Sequence, residues 1–355
     1  MTPKFHQLRI SNIRKETDDC VSVALEIPEQ LKNDYHYQSG QYLTLRSGVL
    51  GNDIRRSYSI CSAPHENELR VAIKQVAEGA FSTFANHSLK EGDQLEVMTP
   101  AGGFTFAPEV NRKESYLLIG AGSGITPLIS IAKTALRSEP TSDVTLVFGN
   151  KNFNSIIFRE ELEALKNTYI DRFRVIHVLS RESLGNDLQK GRITGEKISA
   201  LFKAFFQGVQ LGEVFICGPE TMILEAKSCL EQLGVSPKNI HFELFTTNLK
   251  QTKTVSTASS VGIASNVSII LDGDRLDLAM HEHDASILDV AQKAGADLPY
   301  ACKGGVCCTC KAKILKGTAS MDVNYALEAD EVEAGYILTC QAHPTSNELL
   351  ISFDE

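Results

Sequence analysis

The tightest constraint on this chain is the spacing of four cysteines near its C-terminus: Cys302, Cys307, Cys310 and the distant Cys340. Written as C-x4-C-x2-C with a remote fourth thiol, the pattern is that of a loop wrapping a 2Fe-2S cluster. Two irons bridged by two sulfides need four thiolates. One short segment supplies three of them only if its backbone turns sharply, and Gly304 and Gly305 permit that turn. Structural zinc sites usually pair two C-x2-C units, and disulfide frameworks suit small secreted chains; neither matches this spacing. Cys308 is a further thiol within the loop, and the register leaves it free. His343 follows Cys340 closely, but a Rieske centre needs two Cys and two His in paired motifs, so it reads as a surface or packing histidine.

A chain of 355 residues is long enough for two or three domains, each with its own core. The most apolar stretch, 116–132, is interrupted by Gly120, Gly122, Ser123, Gly124 and Pro127, and the N-terminus lacks a signal-peptide core. No membrane insertion is expected, and the location is expected to be cytoplasmic. Cys20, Cys61, Cys217 and Cys229 show no disulfide-like regularity, which suits a reducing compartment. The charge is unevenly divided: residues 263–355 hold 15 acidic and 6 basic groups, whereas residues 1–262 hold 29 of each sign. Such an acidic surface argues against nucleic acid as a partner. It can steer the cluster segment toward a basic docking patch on an acceptor, or serve solubility alone.

Residues 1–108 are dense in short alternating runs, at 21–26, 42–46, 57–61 and 69–73, punctuated by Gly and Asn-Asp turns. They predict a small antiparallel β-barrel. From 109 to 246, apolar runs at 116–119, 144–148, 175–179 and 214–216 alternate with helical stretches, which predicts an α/β domain on a parallel sheet. The segment 247–262 is rich in Ser, Thr and Lys and reads as a flexible linker. Residues 263–355 open with two strand-like runs about Asp272-Gly273-Asp274, a hairpin signal. A short helix follows, with Ser286 as its cap, Leu288, Ala291 and Ala294 at helical spacing, and Gly295 at its end.

Four segments carry chemistry. Arg56-Ser57-Tyr58-Ser59 lies on a strand of the barrel segment, where simple alternation puts Arg56 and Tyr58 on one face and the serines on the other. Gly79-Ala80-Phe81-Ser82 opens a helix, whose N-terminal amides and Ser82 hydroxyl suit a diphosphate, or form an ordinary capped turn. The run from Gly120 through Gly122 and Gly124 to Thr126 and Pro127 follows a buried strand and begins a helix, the setting of a pyrophosphate loop; it is not G-x-G-x-x-G, because residue 125 is Ile. Cys217-Gly218-Pro219 closes another strand, at the C-terminal strand end where open α/β sheets bind ligands, although a buried cysteine is more commonly structural.

Taken together, these segments resemble the R-x-Y-S, G-x-x-S, G-x-G-x-G-x-T-P and C-G-P-x-x-M motifs of the ferredoxin-NADP reductase superfamily. The order of barrel, α/β domain and plant-type ferredoxin is similar to the reductases of bacterial oxygenases. The runs RRSYSICS, VAIKQV, CKGGVCCTCKAK and ILTCQAHP narrow the resemblance to the reductase subunits of phenylacetyl-CoA epoxidase complexes. The resemblance implies a multidomain protein with an FAD-binding β-barrel, an NAD(P)-binding α/β domain and an α+β, β-grasp-like 2Fe-2S domain. It also implies that Tyr58 stacks on the isoalloxazine, Ser59 bonds near flavin N5, and Arg56 neutralises the FAD pyrophosphate, with Ser57, Gly79, Phe81 and Ser82 completing the flavin site. Lys74 is a weaker flavin candidate, since an exposed strand lysine is the more economical reading. Gly120, Gly122, Gly124, Thr126 and Pro127 are the expected NADPH loop, with Cys217, Gly218 and Pro219 beside the nicotinamide. Ser180 and Arg181 are similar to the pair that holds the ribose 2′-phosphate, and Gly149-Asn150-Lys151 offers no acidic residue to reject it, so NADPH is expected over NADH. Glu243 and Phe245 are expected near the flavin edge. The implied acceptor is the diiron oxygenase subunits of a multicomponent epoxidase; a steroid or aromatic-ring hydroxylase, a hybrid-cluster protein, or a redox-sensing role are the rivals.

Overall fold

Short runs of β-branched and aromatic residues between turn signals build the N-terminal part of the computed structural model, which describes residues 4–51, 54–245, 265–281 and 284–355. Strands β1 (Phe5–Thr17), β2 (Cys20–Glu26), β3 (Tyr42–Arg46), β4 (Arg55–Ser59), β5 (Leu69–Lys74) and β6 (Gln94–Met98) form one sheet in the order β4-β3-β6-β1-β2-β5. A bridge between Ile60 and Val71 joins its two edges, so the sheet closes into a barrel. Leu8, Val23, Leu43, Leu45, Val71 and Val97 fill the interior, and each such side chain is worth about 1.5–3 kcal/mol when buried. Helix α1 (Ala80–His87) plugs one opening with Phe81 and Ala85. The strand expected at 57–61 starts two residues earlier, because β3 pairs with it from Arg46↔Arg55 to Tyr42↔Ser59.

The middle of the chain alternates strand and helix: β7 (Ser115–Ala121), α2 (Ile125–Ser138), β8 (Asp143–Asn150), α3 (Arg159–Thr168), β9 (Phe173–Leu179), α4 (Gly195–Phe205), β10 (Leu211–Gly218), α5 (Glu220–Gln232) and β11 (Ile240–Leu244). The five strands are parallel in the order β11-β10-β7-β8-β9, so both faces need cover, and the strands are correspondingly apolar. Strand order reverses between β7 and β10, which opens a crevice at their C-terminal ends. Phe104 and Phe106 pack edge-on against Phe215 of β10, tying the segment after the barrel to the core of this domain.

The C-terminal part comprises β12 (Ser265–Leu271), β13 (Asp274–Met280), α6 (Ile287–Lys293), β14 (Lys311–Lys316), β15 (Ala319–Met321), α7 (Ala329–Glu333), β16 (Tyr336–Leu338), β17 (Ala342–Pro344) and β18 (Glu348–Ser352). Asp272 and Gly273 turn the first hairpin with φ of 52° and 83°, as a two-residue primed turn requires. The mixed sheet β13-β12-β18-β14-β16 carries α6 on one face, the expected α+β arrangement. The Ser286 hydroxyl accepts from the Asp289 amide at 3.3 Å and so caps α6. The linker expected over 247–262 lies outside the described residues. No described helix is long and apolar enough to cross a membrane.

Candidate functional site

The cysteine loop runs from α6 to β14 and folds its thiols inward. Cys307 Sγ lies 3.1 Å from Cys302 Sγ, and the Gly304 amide donates to Cys302 Sγ at 3.3 Å. The Cys340 thiol lies close to those of Cys302 and Cys310. Contacts from Cys307 and Cys340 hold the Cys302 thiol far below its usual range, while the same contacts and burial push its two neighbours up. No group among the described residues is disposed round a single metal ion. Four thiols gathered in one mostly buried place supply the four soft donors that a dinuclear centre needs, two per iron, so the donor set fits a 2Fe-2S cluster. The sharp turn expected at Gly304 and Gly305 falls on Lys303 (φ 52°) and Gly305 (φ 71°), and a Cβ on Gly305 would sit 2.9 Å from the Val323 carbonyl oxygen. Cys308 points elsewhere: its thiol donates to the Ala326 carbonyl at 3.2 Å, and burial pushes it up to about 12. His343 sits 3.1 Å from Asp322 near the surface, as a non-ligand would.

Beside this loop is a cavity of about 330 Å³, lined by Arg56, Ser57 and Ser59 of β4, by Glu243 and Phe245, and by Cys302 and Cys307. Ser59 Oγ donates to Glu243 Oε2 at 3.1 Å. Protein encloses the Glu243 carboxyl except toward the cavity, and desolvation raises it to about 8 against the opposing pull of that hydrogen bond. Hydroxyls, a protonated carboxyl and a guanidinium around an otherwise apolar space fit a flavin, with its polar ring edge and its phosphate tail. Tyr58 lies against Phe81, with ring centroids 5.7 Å apart. Tyr58, expected to stack on the flavin, thus packs on Phe81 and is not among the residues lining this cavity, whereas Ser57 and Ser59, expected on the other face, line it together with the long, exposed Arg56. Phe81 belongs to the barrel core at 1% exposure, not to the cavity wall. Gly79 is the N-cap of α1, and the Ser82 hydroxyl is occupied within that turn by the Val76 amide and the Gly79 carbonyl. The Lys74 ammonium is 3.6 Å from Asp19.

A second feature lies at the crevice between β7 and β10. A Cβ on Gly124 would stand 2.1 Å from the Cys217 carbonyl oxygen and 3.0 Å from the Gly218 nitrogen, so only glycine lets the loop 120–127 approach this strand end. Gly218 is less confined: its Cβ position lies 2.6 Å from Met222 Cε, the movable end of a flexible side chain, and 3.3 Å from the Ala121 nitrogen. Gly122 takes φ 55°, a left-handed turn. Two adjacent backbones held this close, at a helix N-terminus, fit a dinucleotide diphosphate. Thr126 is buried, its hydroxyl donating to the Ser123 carbonyl at 3.0 Å, and Pro127 sits in the first turn of α2. Cys217 pairs in register with Glu243 and with Gly120, and burial pushes its thiol well up, so it stays neutral. Ser180 and Arg181 lie exposed beyond β9, the Arg181 amide bonding the Lys151 carbonyl at 2.8 Å.

The fold thus brings Ser59, Glu243 and Cys217 into one neighbourhood from three separate strands, next to the cysteine loop. Tyr42, which lines the same cavity, and Arg55, beside it, are not legible as site residues in the sequence. Tyr42 reads there as one aromatic in a strand, and its position opposite Ser59 arises from the β3–β4 register.

Three family models match successive parts of the chain: the oxidoreductase FAD-binding domain at 7–106, the oxidoreductase NAD-binding domain at 118–228, and the 2Fe-2S iron-sulfur cluster binding domain at 269–345. The chain is 41% identical over 350 residues to a subunit of the 1,2-phenylacetyl-CoA epoxidase of Escherichia coli K12, covering 99% of this chain and 98% of that one. It is 33% identical over 354 residues to the ferredoxin reductase component of 3-ketosteroid-9-alpha-monooxygenase of Rhodococcus rhodochrous, covering 98% of this chain and 96% of that one. Among solved structures, phthalate dioxygenase reductase shares the fold across 98% of both chains, with a TM-score of 0.59 at 23% identity.

Proposed function

Because this chain belongs to the family of flavin and iron-sulfur oxygenase reductases that has a member in the 1,2-phenylacetyl-CoA epoxidase of Escherichia coli, we propose that it delivers electrons from NADPH to the diiron subunits of such an epoxidase, in the cytoplasm. The functional units are 1–108 for FAD, 109–246 for the nicotinamide cofactor and 263–355 for the cluster. The observation that carries the reading is the single cavity bounded by Ser59, Glu243, Cys302 and Cys307, which sets a flavin-sized space against the cluster thiols.

When bound, NADPH supplies a hydride, FAD takes up two electrons, and the 2Fe-2S cluster passes them on singly. The chain itself positions and insulates. Arg56 neutralises the FAD phosphates at the cavity rim. The Ser59 hydroxyl, oriented by Glu243, holds the flavin edge, and Glu243 keeps its proton through neutral pH because its burial favours the uncharged form. Gly124 and Gly218 let the nicotinamide approach, and the neutral Cys217 thiol packs beside it without adding charge. Cys302, Cys307, Cys310 and Cys340 hold the iron.

Anaerobic mixing with NADPH should bleach the flavin and then the cluster, and oxidation by purified epoxidase subunits should follow only when they are present. Raising ionic strength to about 0.5 M, where the Debye length is about 4 Å, should slow the last step and leave flavin reduction unchanged. A cluster that NADPH never reduces would sink the reading; equal delivery to a ketosteroid hydroxylase and to the epoxidase would sink the choice of acceptor.

The preference for NADPH rests on Arg181. Losing its charge should cost about 1.5–3 kcal/mol toward the 2′-phosphate, roughly a ten- to hundredfold loss in kcat/KM. NADH, which lacks that phosphate, should be far less affected. Equal losses for the two cofactors in Arg181→Ala remove Arg181 from this role.

A further inference from the structure

Two barrel side chains, Arg55 and Tyr42, reach across to the cluster domain. The side chain of Arg55 is only 5% exposed, and its Nη2 lies 2.5 Å from Asp297 Oδ1. Its Nη1 donates to the Leu298 carbonyl at 3.4 Å, and its guanidinium carbon sits 4.1 Å from the centre of the Tyr300 ring. Tyr300 stands two residues before the first cluster thiol. On the adjoining strand, Tyr42 is buried with its hydroxyl 3.0 Å from Thr309 Oγ1, inside the cysteine loop, and its ring packs on Ala301 and Cys307. Register places Tyr42 opposite Ser59, so the tyrosine that grips the loop is the cross-strand neighbour of the serine at the flavin cavity.

A guanidinium enclosed between domains is tolerated only where a carboxylate and a carbonyl replace its water. Such a pair adds little net stability but favours one geometry, because any other docking that covers the guanidinium leaves its charge uncompensated. Electron transfer between two cofactors weakens steeply with their separation, so a domain that binds at the wrong angle transfers slowly.

We propose that Tyr42 and Arg55 form a docking site on the barrel for the cluster domain, with Asp297 as the matching charge that sets its orientation. They are positioning residues for the flavin-to-cluster step. The proposal rests on the electron-transfer reading above.

The test is anaerobic stopped flow on the holoprotein, following flavin and cluster reduction separately, with FAD and iron content measured for every variant. Asp297 has 71% of its side chain exposed, so Asp297→Arg should fold while setting a like charge against Arg55. Flavin reduction by NADPH should stay within about twofold of wild type, and cluster reduction should slow at least tenfold. Asp297→Asn should give a smaller slowing, and adding Arg55→Asp to Asp297→Arg should recover most of the rate. Tyr42→Phe, which keeps the ring and loses the hydroxyl, should slow the same step several-fold. Wild-type cluster reduction in both Asp297 variants overturns the proposal, as does equal slowing of both steps. Failure of NADPH to reduce the flavin in the wild-type protein overturns the electron-transfer reading instead.

Discussion

Cys310→Ser bleaches the visible absorption of the cluster and abolishes cytochrome c reduction, while ferricyanide reduction through the flavin survives. Cys310 is only 1% exposed and its thiol lies close to that of Cys340, so no solvent ligand can readily take its place. A serine hydroxyl stays protonated where a thiolate is required, and one iron loses a ligand. The cavity proposed for the flavin lies on the Cys302 and Cys307 side of the loop, so hydride transfer there should not depend on Cys310. Cys308→Ser should leave both activities unchanged, because that thiol faces the Ala326 carbonyl and holds its proton. The reverse outcome, with Cys308→Ser destroying the cluster and Cys310→Ser sparing it, means the register of the ligands is wrong.

Gly124→Ala cuts kcat/KM for NADPH about ten- to hundredfold while FAD content and the dithionite-reduced spectrum stay normal. The added methyl would meet three backbone atoms of β10, at 2.1, 2.6 and 3.0 Å, and none can rotate aside. The loop 120–127 must lift from the crevice, at a cost of about 1–3 kcal/mol typical of overpacking. At roughly 1.4 kcal/mol per tenfold, that range is about five- to 150-fold and brackets the stated loss. An alanine variant with wild-type turnover means the close approach of loop and strand end plays no part in NADPH binding.

Much of this molecule was legible one segment at a time. The cysteine spacing, the Asp272-Gly273 hairpin, the Ser286 cap and the glycine loop after β7 are local signals, because each depends on backbone geometry within a few neighbouring residues. Period-two patterning likewise predicts the barrel strands, and apolar runs alternating with helices predict the parallel sheet, since one face or both must be buried. Where local signals compete, the sequence is less decisive. Gly304 and Gly305 looked equally able to turn the cysteine loop, yet Lys303 takes the left-handed position and Gly304 does not. Likewise, the Phe81 expected at the cofactor is drawn into the barrel core, because a large ring gains more from the apolar interior than from the cavity rim.

The sequence by itself determined the cofactor-binding segments, their order and the class of electron carrier, because each segment is a short stretch whose chemistry is carried by its own residues and turns. Only the tertiary structure decided how they meet. Ser59 reaches Glu243 across 184 positions, and Arg55 reaches Asp297 across 242. Contacts of that span depend on the closing of the barrel, the register of β3 with β4 and the docking of one domain on another. These arise from the burial of whole surfaces, and no spacing within a single segment encodes them.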